Sequence, residues 1–292
     1  MLLTIEALLL ILAALGQDRT AAVEGQIFPL DMALNSVDDQ YEGCREKMAN
    51  LVETEYLNKE ISNQPDFKKA WQDGERNART PEDNLTRNHV FAIYVYTNSD
   101  INVYRDFNSA GRNGKQKYDD KTFTWYSLYF LLTEAIQILN KTQEKCYATY
   151  RGTNVRFNKY VLNTEVRFGS FTSSSLDRTV AQGFGTKSCF EIYTCEGADL
   201  KKYPKFPDEK EVLIPPYETF KVTAVRTRKD EPDLWCETVF MLKSSGKRSD
   251  LNCALFKNPT KTLENTSKCM LSHLNSLYYR SSIQIDCLIT YT

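Results

Sequence analysis

The sequence has very little histidine, two residues in 292, and its eight cysteines include no Cys-x-x-Cys pair. Zinc sites are built from closely spaced cysteine and histidine, so this pattern points away from zinc and toward disulfides formed in an oxidising compartment. An excess of one charge sign is also missing: 37 Lys and Arg against 38 Asp and Glu leave a net charge of -1. That balance sets aside a polyanionic partner such as nucleic acid. There is no internal repeat, no low-complexity tract and no internal apolar run long enough to span a bilayer. No Gly-x-Gly-x-x-Gly follows a strand-like run, which excludes a βαβ dinucleotide fold. The C-terminal "LSHLNSLYYRSSIQIDCLITYT" is broken by Arg280 and Asp286, unlike the apolar tail of a glycolipid anchor.

What is present begins with "MLLTIEALLLILAALG", an apolar stretch ending in the small residues Ala14 and Gly16, which reads as a secretion signal over residues 1–16. Sequons at Asn84, Asn140 and Asn265 agree with export. The expectation is a secreted glycoprotein with no transmembrane helix. With 41% hydrophobic residues the remaining chain carries a sizeable core. From residue 28 to 140 the texture is helical: "CREKMANLVETEYLNKEI" and "WYSLYFLLTEAIQIL" place apolar residues three and four apart, and Trp125, Leu128, Leu132, Ile136 and Leu139 form one core-facing stripe. From 145 to 255 it changes to short runs rich in β-branched and aromatic residues, "CYATYRG", "EVRFGSFTSSS", "CFEIYTC", "EVLIPPYETFKVTAVRT" and "LWCETVFML", with "LDRTVAQGFG" as a short helix among them. This predicts a single α+β domain over 17–255, helices first and strands second, followed by a tail at 256–292.

Three short stretches carry candidate chemistry. In "KEVLI", strand alternation puts Glu209 and Glu211 on one face with Lys210 on the other, and of two neighbouring carboxylates one tends to hold its proton. Alone, this stretch reads first as a solvated acidic strand start. In "CYATYRGTN", Arg151 and Gly152 end a strand, a place where a guanidinium and bare backbone approach a ligand. In "VRFGSFTSSSLD", Ser173, Ser174 and Ser175 close a strand ahead of the short helix, where Ser175 serves as a cap or turn former.

The order Arg, Ser-x-Ser, Glu-x-Glu resembles the R-S-E pattern of mono-ADP-ribosyltransferases, and more closely the vertebrate arginine-specific ecto-ADP-ribosyltransferases. The matching stretches are "DDQYEGC" (38–44), "YRGT" (150–153), "VRFGSFTSSSL" (166–176), "TCEGA" (194–198) and "EKEVLIPPYETFKV" (209–222), in the family's order across roughly 28–255. The resemblance implies helices packed on a mixed, mainly antiparallel β-sandwich that binds NAD as co-substrate, with no metal. It implies transfer of ADP-ribose to arginine-bearing target proteins by a monomer, through an oxocarbenium-like state. Glu211 would stabilise the ribose cation and Glu209 would orient the acceptor and take its proton. Ser173 would hold Glu211, Arg151 would pair with the phosphates, Gly152 would offer backbone to the carboxamide, and Phe184 would stack on nicotinamide. Disulfides Cys44–Cys253 and Cys146–Cys195 are likewise implied. Cys189 and Cys236, on expected strands, are candidates for a third bridge, and Cys269 and Cys287 fall in the tail. An NAD glycohydrolase and a catalytically silent binding protein on the same scaffold are the competing readings.

Overall fold

A computed structural model describes residues 26–101 and 103–257. The expected signal segment, the Asn265 sequon, Cys269, Cys287 and nearly all of the tail lie outside the described residues.

The helical part opens with α1 (Arg45–Leu51) and α2 (Leu57–Asn63), joined through a π-helical turn at Val52–Tyr56. Pro65 starts α3 (Pro65–Asn77), where its missing N–H costs nothing. Thr86 caps α4 (Arg87–Thr97): its hydroxyl accepts from His89 N, and His89 Nδ1 accepts from Thr86 N at 3.0 Å. Then come α5 (Val103–Arg112), α6 (Lys115–Asp119) and α7 (Tyr126–Asn140). The expected stripe from Trp125 to Leu139 on α7 is wholly buried.

The strands are β1 (Ile27–Phe28), β2 (Tyr147–Thr153), β3 (Arg156–Phe157), β4 (Glu165–Val166), β5 (Thr172–Ser175), β6 (Ser188–Thr194), β7 (Ala198–Asp199), β8 (Glu211–Ile214), β9 (Glu218–Thr227) and β10 (Thr238–Lys247), with the short α8 (Arg178–Gly183) between β5 and β6. Eight of them pair in the order β4-β9-β10-β6-β2-β5-β8-β7. Within that order only β10 and β6 run parallel, so the mainly antiparallel α+β expectation holds. The strand core gathers Phe190, Ile192, Phe220, Val222, Phe240 and Leu242. A second apolar body joins helices to strands: Phe171, just ahead of β5, meets the rings of Tyr96, Phe107 and Tyr129. That contact brings α4 up to the strand carrying Ser173.

The sequence stretches outside the catalytic pattern have mechanical roles. Asp38 and Arg167, both buried, form an ion pair at 2.6 Å. Asp38 also accepts from Asp250 N and Leu251 N, and Asp39 accepts from Tyr41 N, Cys253 N and the Tyr118 hydroxyl. The acidic pair of "DDQYEGC" therefore clasps residues more than 200 positions downstream, beside the Cys44–Cys253 bridge. Every carboxylate oxygen of the pair has at least one donor there, as buried polar groups require. In "TCEGA", the buried Glu218 carboxylate accepts from Thr194 Oγ1, Cys195 N, Glu196 N and Ser244 Oγ. Cys146–Cys195 joins the ends of the neighbouring strands β2 and β6, and Cys189–Cys236 ties β6 to the bend before β10. All three described bridges match the expected pairs.

The two described sequons differ. Asn84 is exposed in a turn with φ +64°, a conformation that asparagine tolerates. Asn140, by contrast, spends its amide inside the fold, donating to Cys195 O at 3.0 Å and Gly197 O at 2.9 Å. That amide serves as a structural tether, and attaching a glycan to it would break one of these bonds.

Candidate active site

Arg151, Ser173 and Glu211 sit on three adjacent strands, β2, β5 and β8. Between β5 and β8 the ladder is complete, with Ser173 opposite Leu213 and Ser175 opposite Glu211. Between β2 and β5 it holds one position, Tyr150 with Ser175. Beyond it a side chain does the joining: Arg151 Nη1 donates to Ser173 O at 2.7 Å. Arg151 and Ser173 are thus joined directly, through the serine's backbone, a contact that the sequence reading did not include.

Gly152 is there for a steric reason. A Cβ at this position would lie 2.3 Å from Ala181 O and 2.4 Å from Gly185 O, so the end of α8 rests directly on the backbone of β2. That contact holds Phe184, the C-cap of α8, at the rim with 57% of its surface exposed. A large aromatic ring this open is suited to a planar ligand.

The two glutamates are arranged differently from the strand-alternation reading. Glu211 is the first residue of β8, whereas Glu209 ends a 3-10 turn, Pro207–Glu209. Lys210 between them takes the left-handed conformation, φ 48°, ψ 48°. A kinked turn, and no shared strand face, brings the carboxylates within electrostatic reach of each other. Lys210 leans outward to pair with Asp177 at 2.9 Å, and Asp208 is exposed, so neither takes part in the site. Ser175 secures the turn: its hydroxyl donates to Glu209 O at 2.7 Å and accepts from Asp177 N at 3.0 Å. Ser174 donates to Val212 O, which leaves Ser173 as the serine facing the chemistry.

Glu211 is 4% exposed, and its Oε1 is buried with no donor within hydrogen-bonding distance among the described residues. Burial first, and then the Glu209 charge, push its pKa up to about 7, against the pull of the Ser173 hydroxyl and the Arg151 guanidinium. Half-buried Glu209 is also raised, by burial. One carboxylate is thus enclosed with a free acceptor lobe, and the other is half-buried with a raised proton affinity.

Sequence reasoning missed two parts of this site. The first is the segment 200–206 leading to Glu209, which is bolted to the helices: Tyr203 donates to Asp83 at 2.7 Å, Lys202 pairs with Glu82 and Asp83 at 3.1 Å, and Lys205 N donates to Thr97 Oγ1 at 2.9 Å. The second is Tyr96 on α4, whose hydroxyl donates to Phe171 O at 3.0 Å, two residues ahead of Ser173. Neither carries a local signal, because each contact joins residues 75 to 120 positions apart through packing alone. Among the described residues no cluster of His, Cys, Asp and Glu could hold a metal ion, and no helix is long and apolar enough to cross a membrane.

The chain is matched over residues 30–249 by the family model described as NAD:arginine ADP-ribosyltransferase. It is 35% identical to ecto-ADP-ribosyltransferase 4 of Homo sapiens over 269 residues, covering 87% of this chain and 81% of that one. It is 37% identical to NAD(P)(+)--arginine ADP-ribosyltransferase 2 of Gallus gallus over 238 residues, 78% of this chain and 73% of the relative. The crystal structure of the eucaryotic mono-ADP-ribosyltransferase ART2.2 superposes with a TM-score of 0.64 at 33% identity, covering 79% of this chain and all of the other. A mutant of that enzyme in complex with NADH gives 0.65 at 32% identity, with the same coverage.

Proposed function

Because this chain belongs to the NAD:arginine ADP-ribosyltransferase family, we propose that it transfers ADP-ribose from NAD to arginine side chains of proteins, releasing nicotinamide. The observation that carries this reading is the buried Glu211 carboxylate with an unpartnered oxygen, set between Ser173 and Arg151 with half-buried Glu209 within electrostatic reach. A ribose hydroxyl is a donor of the size and polarity that this oxygen lacks. Once it is bound, the ionised carboxylate stabilises positive charge as it develops on the anomeric carbon. The guanidinium of Arg151, already fixed by one bond to Ser173 O, presents further donors in a planar fork suited to two phosphate oxygens. Phe184 offers a face for the nicotinamide ring and Gly152 bare backbone for its carboxamide.

The step balances without any further reactant. The bond from C1′ to the nicotinamide nitrogen breaks and its electron pair neutralises the pyridinium. A bond forms from an acceptor guanidinium nitrogen to C1′, and the proton that nitrogen gives up passes to Glu209. Arginine stays protonated at neutral pH, so an acceptor for that proton is obligatory, and the raised proton affinity of Glu209 suits it to the task. Three disulfides and an exposed sequon support action outside the cytosol.

The test is incubation of the purified protein with labelled NAD, with and without agmatine, following ADP-ribosyl-agmatine against free ADP-ribose. The wild type modifies agmatine, Glu211→Gln forms neither product, and Glu209→Gln retains hydrolysis while losing transfer. Hydrolysis alone in the wild type would make the protein a glycohydrolase, and no turnover at all would leave a binding scaffold.

A further inference from the structure

Lys210 touches none of the reacting groups, yet it joins the two carboxylates through a backbone conformation that a side chain resists. Its φ of 48° and ψ of 48° lie in the left-handed region, which glycine enters freely and lysine does not. Three consecutive residues, 175–177, hold it there. Ser175 stands opposite Glu211 in the ladder between β5 and β8, and its hydroxyl donates to Glu209 O at 2.7 Å. Leu176 N donates to Lys210 O at 3.0 Å. Asp177 completes the set, because its Oδ2 accepts from Lys210 Nζ at 2.9 Å.

Asp177 is itself anchored. Its backbone N donates to Ser175 Oγ at 3.0 Å, and its Oδ1 caps α8 by accepting from Thr179 N at 2.9 Å. The Lys210 cation therefore ties the turn to a carboxylate already fixed at the start of a helix, whose far end rests on Gly152. The two glutamates depend on this tie unequally. Glu211 is buried and paired within the ladder, so it keeps its place without Lys210. Glu209 lies ahead of the ladder on a single 3-10 turn, closed by Glu209 N to Phe206 O and Lys210 N to Pro207 O, each at 3.2 Å. The soft torsions of Lys210 set the angle between that turn and β8.

We propose that Lys210 is a positioning residue: paired with Asp177, it holds the left-handed turn that aims Glu209, and so sets how much ADP-ribose passes to an acceptor guanidinium rather than to water. This rests on the reading of Glu209 as the group that orients the acceptor and takes its proton. Without the ion pair, nothing offsets the strain at Lys210, and the turn relaxes away from the left-handed region. Glu209 then swings while Glu211 stays, so bond cleavage continues and acceptor transfer suffers. Lys210 touches no substrate in this role.

The experiment measures the ratio of ADP-ribosyl-agmatine to free ADP-ribose for wild type, Lys210→Met, Lys210→Arg, Asp177→Asn and the double variant Lys210→Met with Asp177→Asn, with Glu209→Gln as control. Asparagine still caps α8, so Asp177→Asn removes the charge alone. In Lys210→Met the ratio falls about three- to fivefold, the range that an exposed ion pair can supply. Its KM for NAD and its hydrolysis rate without agmatine stay within about twofold of wild type. Lys210→Arg keeps the pair and the wild-type ratio, Asp177→Asn falls as Lys210→Met does, and the double variant falls no further than either. A second reading needs no variant to be blameless: the side chains of the pair are 56% and 33% exposed, so salt screens it, and by about 0.5 M salt the wild type and Lys210→Met should converge. An unchanged ratio in Lys210→Met, or a double variant whose loss is the product of the two single losses, overturns the inference. Loss of hydrolysis and transfer in equal measure also overturns it, because Lys210 would then only support the fold. Normal transfer in Glu209→Gln overturns the reading of Glu209 and the inference together, whereas deficient transfer there with an unchanged Lys210→Met overturns the inference alone.

Discussion

Replacing Glu211 with glutamine should stabilise the protein at alkaline pH while abolishing its activity, and the size of the effect follows from its burial. In the unfolded chain this carboxyl titrates near its ordinary value of 4.5, and in the fold it is pushed up to about 7. Between those values the folded state holds the extra proton, so stability falls as pH rises through that window and is flat above it. At about 1.36 kcal/mol for each pH unit, roughly 2 to 3 kcal/mol of stability is lost by the wild type between pH 5 and pH 8 through this one group. Glutamine does not titrate, so the variant is spared that loss. Its amide has its own cost, a buried NH2 short of an acceptor, but that cost is present at both pH values and cancels in the comparison. Asp39 and Glu60, pushed up to about 6 and about 8 by burial, titrate alike in both proteins and cancel as well. Thermal unfolding followed by circular dichroism at pH 5 and pH 8 is the assay. For a domain of this size, the melting-point difference between variant and wild type should grow by roughly 5 to 10 °C from the lower pH to the higher. An equal difference at both pH values would refute the reasoning, because Glu211 would then be titrating as a solvated carboxylate.

The remaining expectations concern the frame around that residue. Gly152→Ala places a methyl group against two backbone carbonyls that have no free torsion to yield, so urea unfolding should show a loss of about 1–3 kcal/mol, with weakened NAD binding as α8 and Phe184 shift. Arg167→Met strands Asp38 in the interior and should cost about 3–5 kcal/mol in the same assay, with Asp38→Asn in the Arg167→Met background recovering part of it. Glycopeptide mapping of the protein expressed through a eukaryotic secretory pathway should find Asn84 occupied and Asn140 bare, since the Asn140 amide is bonded to two carbonyls inside the fold.

Much of this architecture could be read in order along the chain. Three-four spacing of apolar residues marked α7, and β-branched runs marked β2, β6, β8 and β9, because periodicity and backbone preference act over a few residues. Arg151, Ser173 and Glu211 stood out through the resemblance of short motifs to a known family, and the fold places them on neighbouring strands. The geometry joining Glu209 to Glu211 was misread from the same residues: alternation is the default for an extended run, and nothing local announces that Lys210 turns left-handed because Ser175 grips Glu209 O and Asp177 grips Lys210.

The sequence by itself determined the succession of helices and strands, the disulfide-type pattern of its cysteines and the short motifs that supply the candidate reacting side chains, since each of these is written in short segments. Tertiary structure alone decided that Asp38 meets Arg167, that Tyr96 reaches the backbone of Phe171 ahead of Ser173, that Asn140 is a tether, and that Glu211 is enclosed enough to hold a proton near neutral pH. Those properties depend on which distant segments exclude water from one another, and exclusion of water sets both the strength of a charge interaction and the proton affinity of a carboxylate.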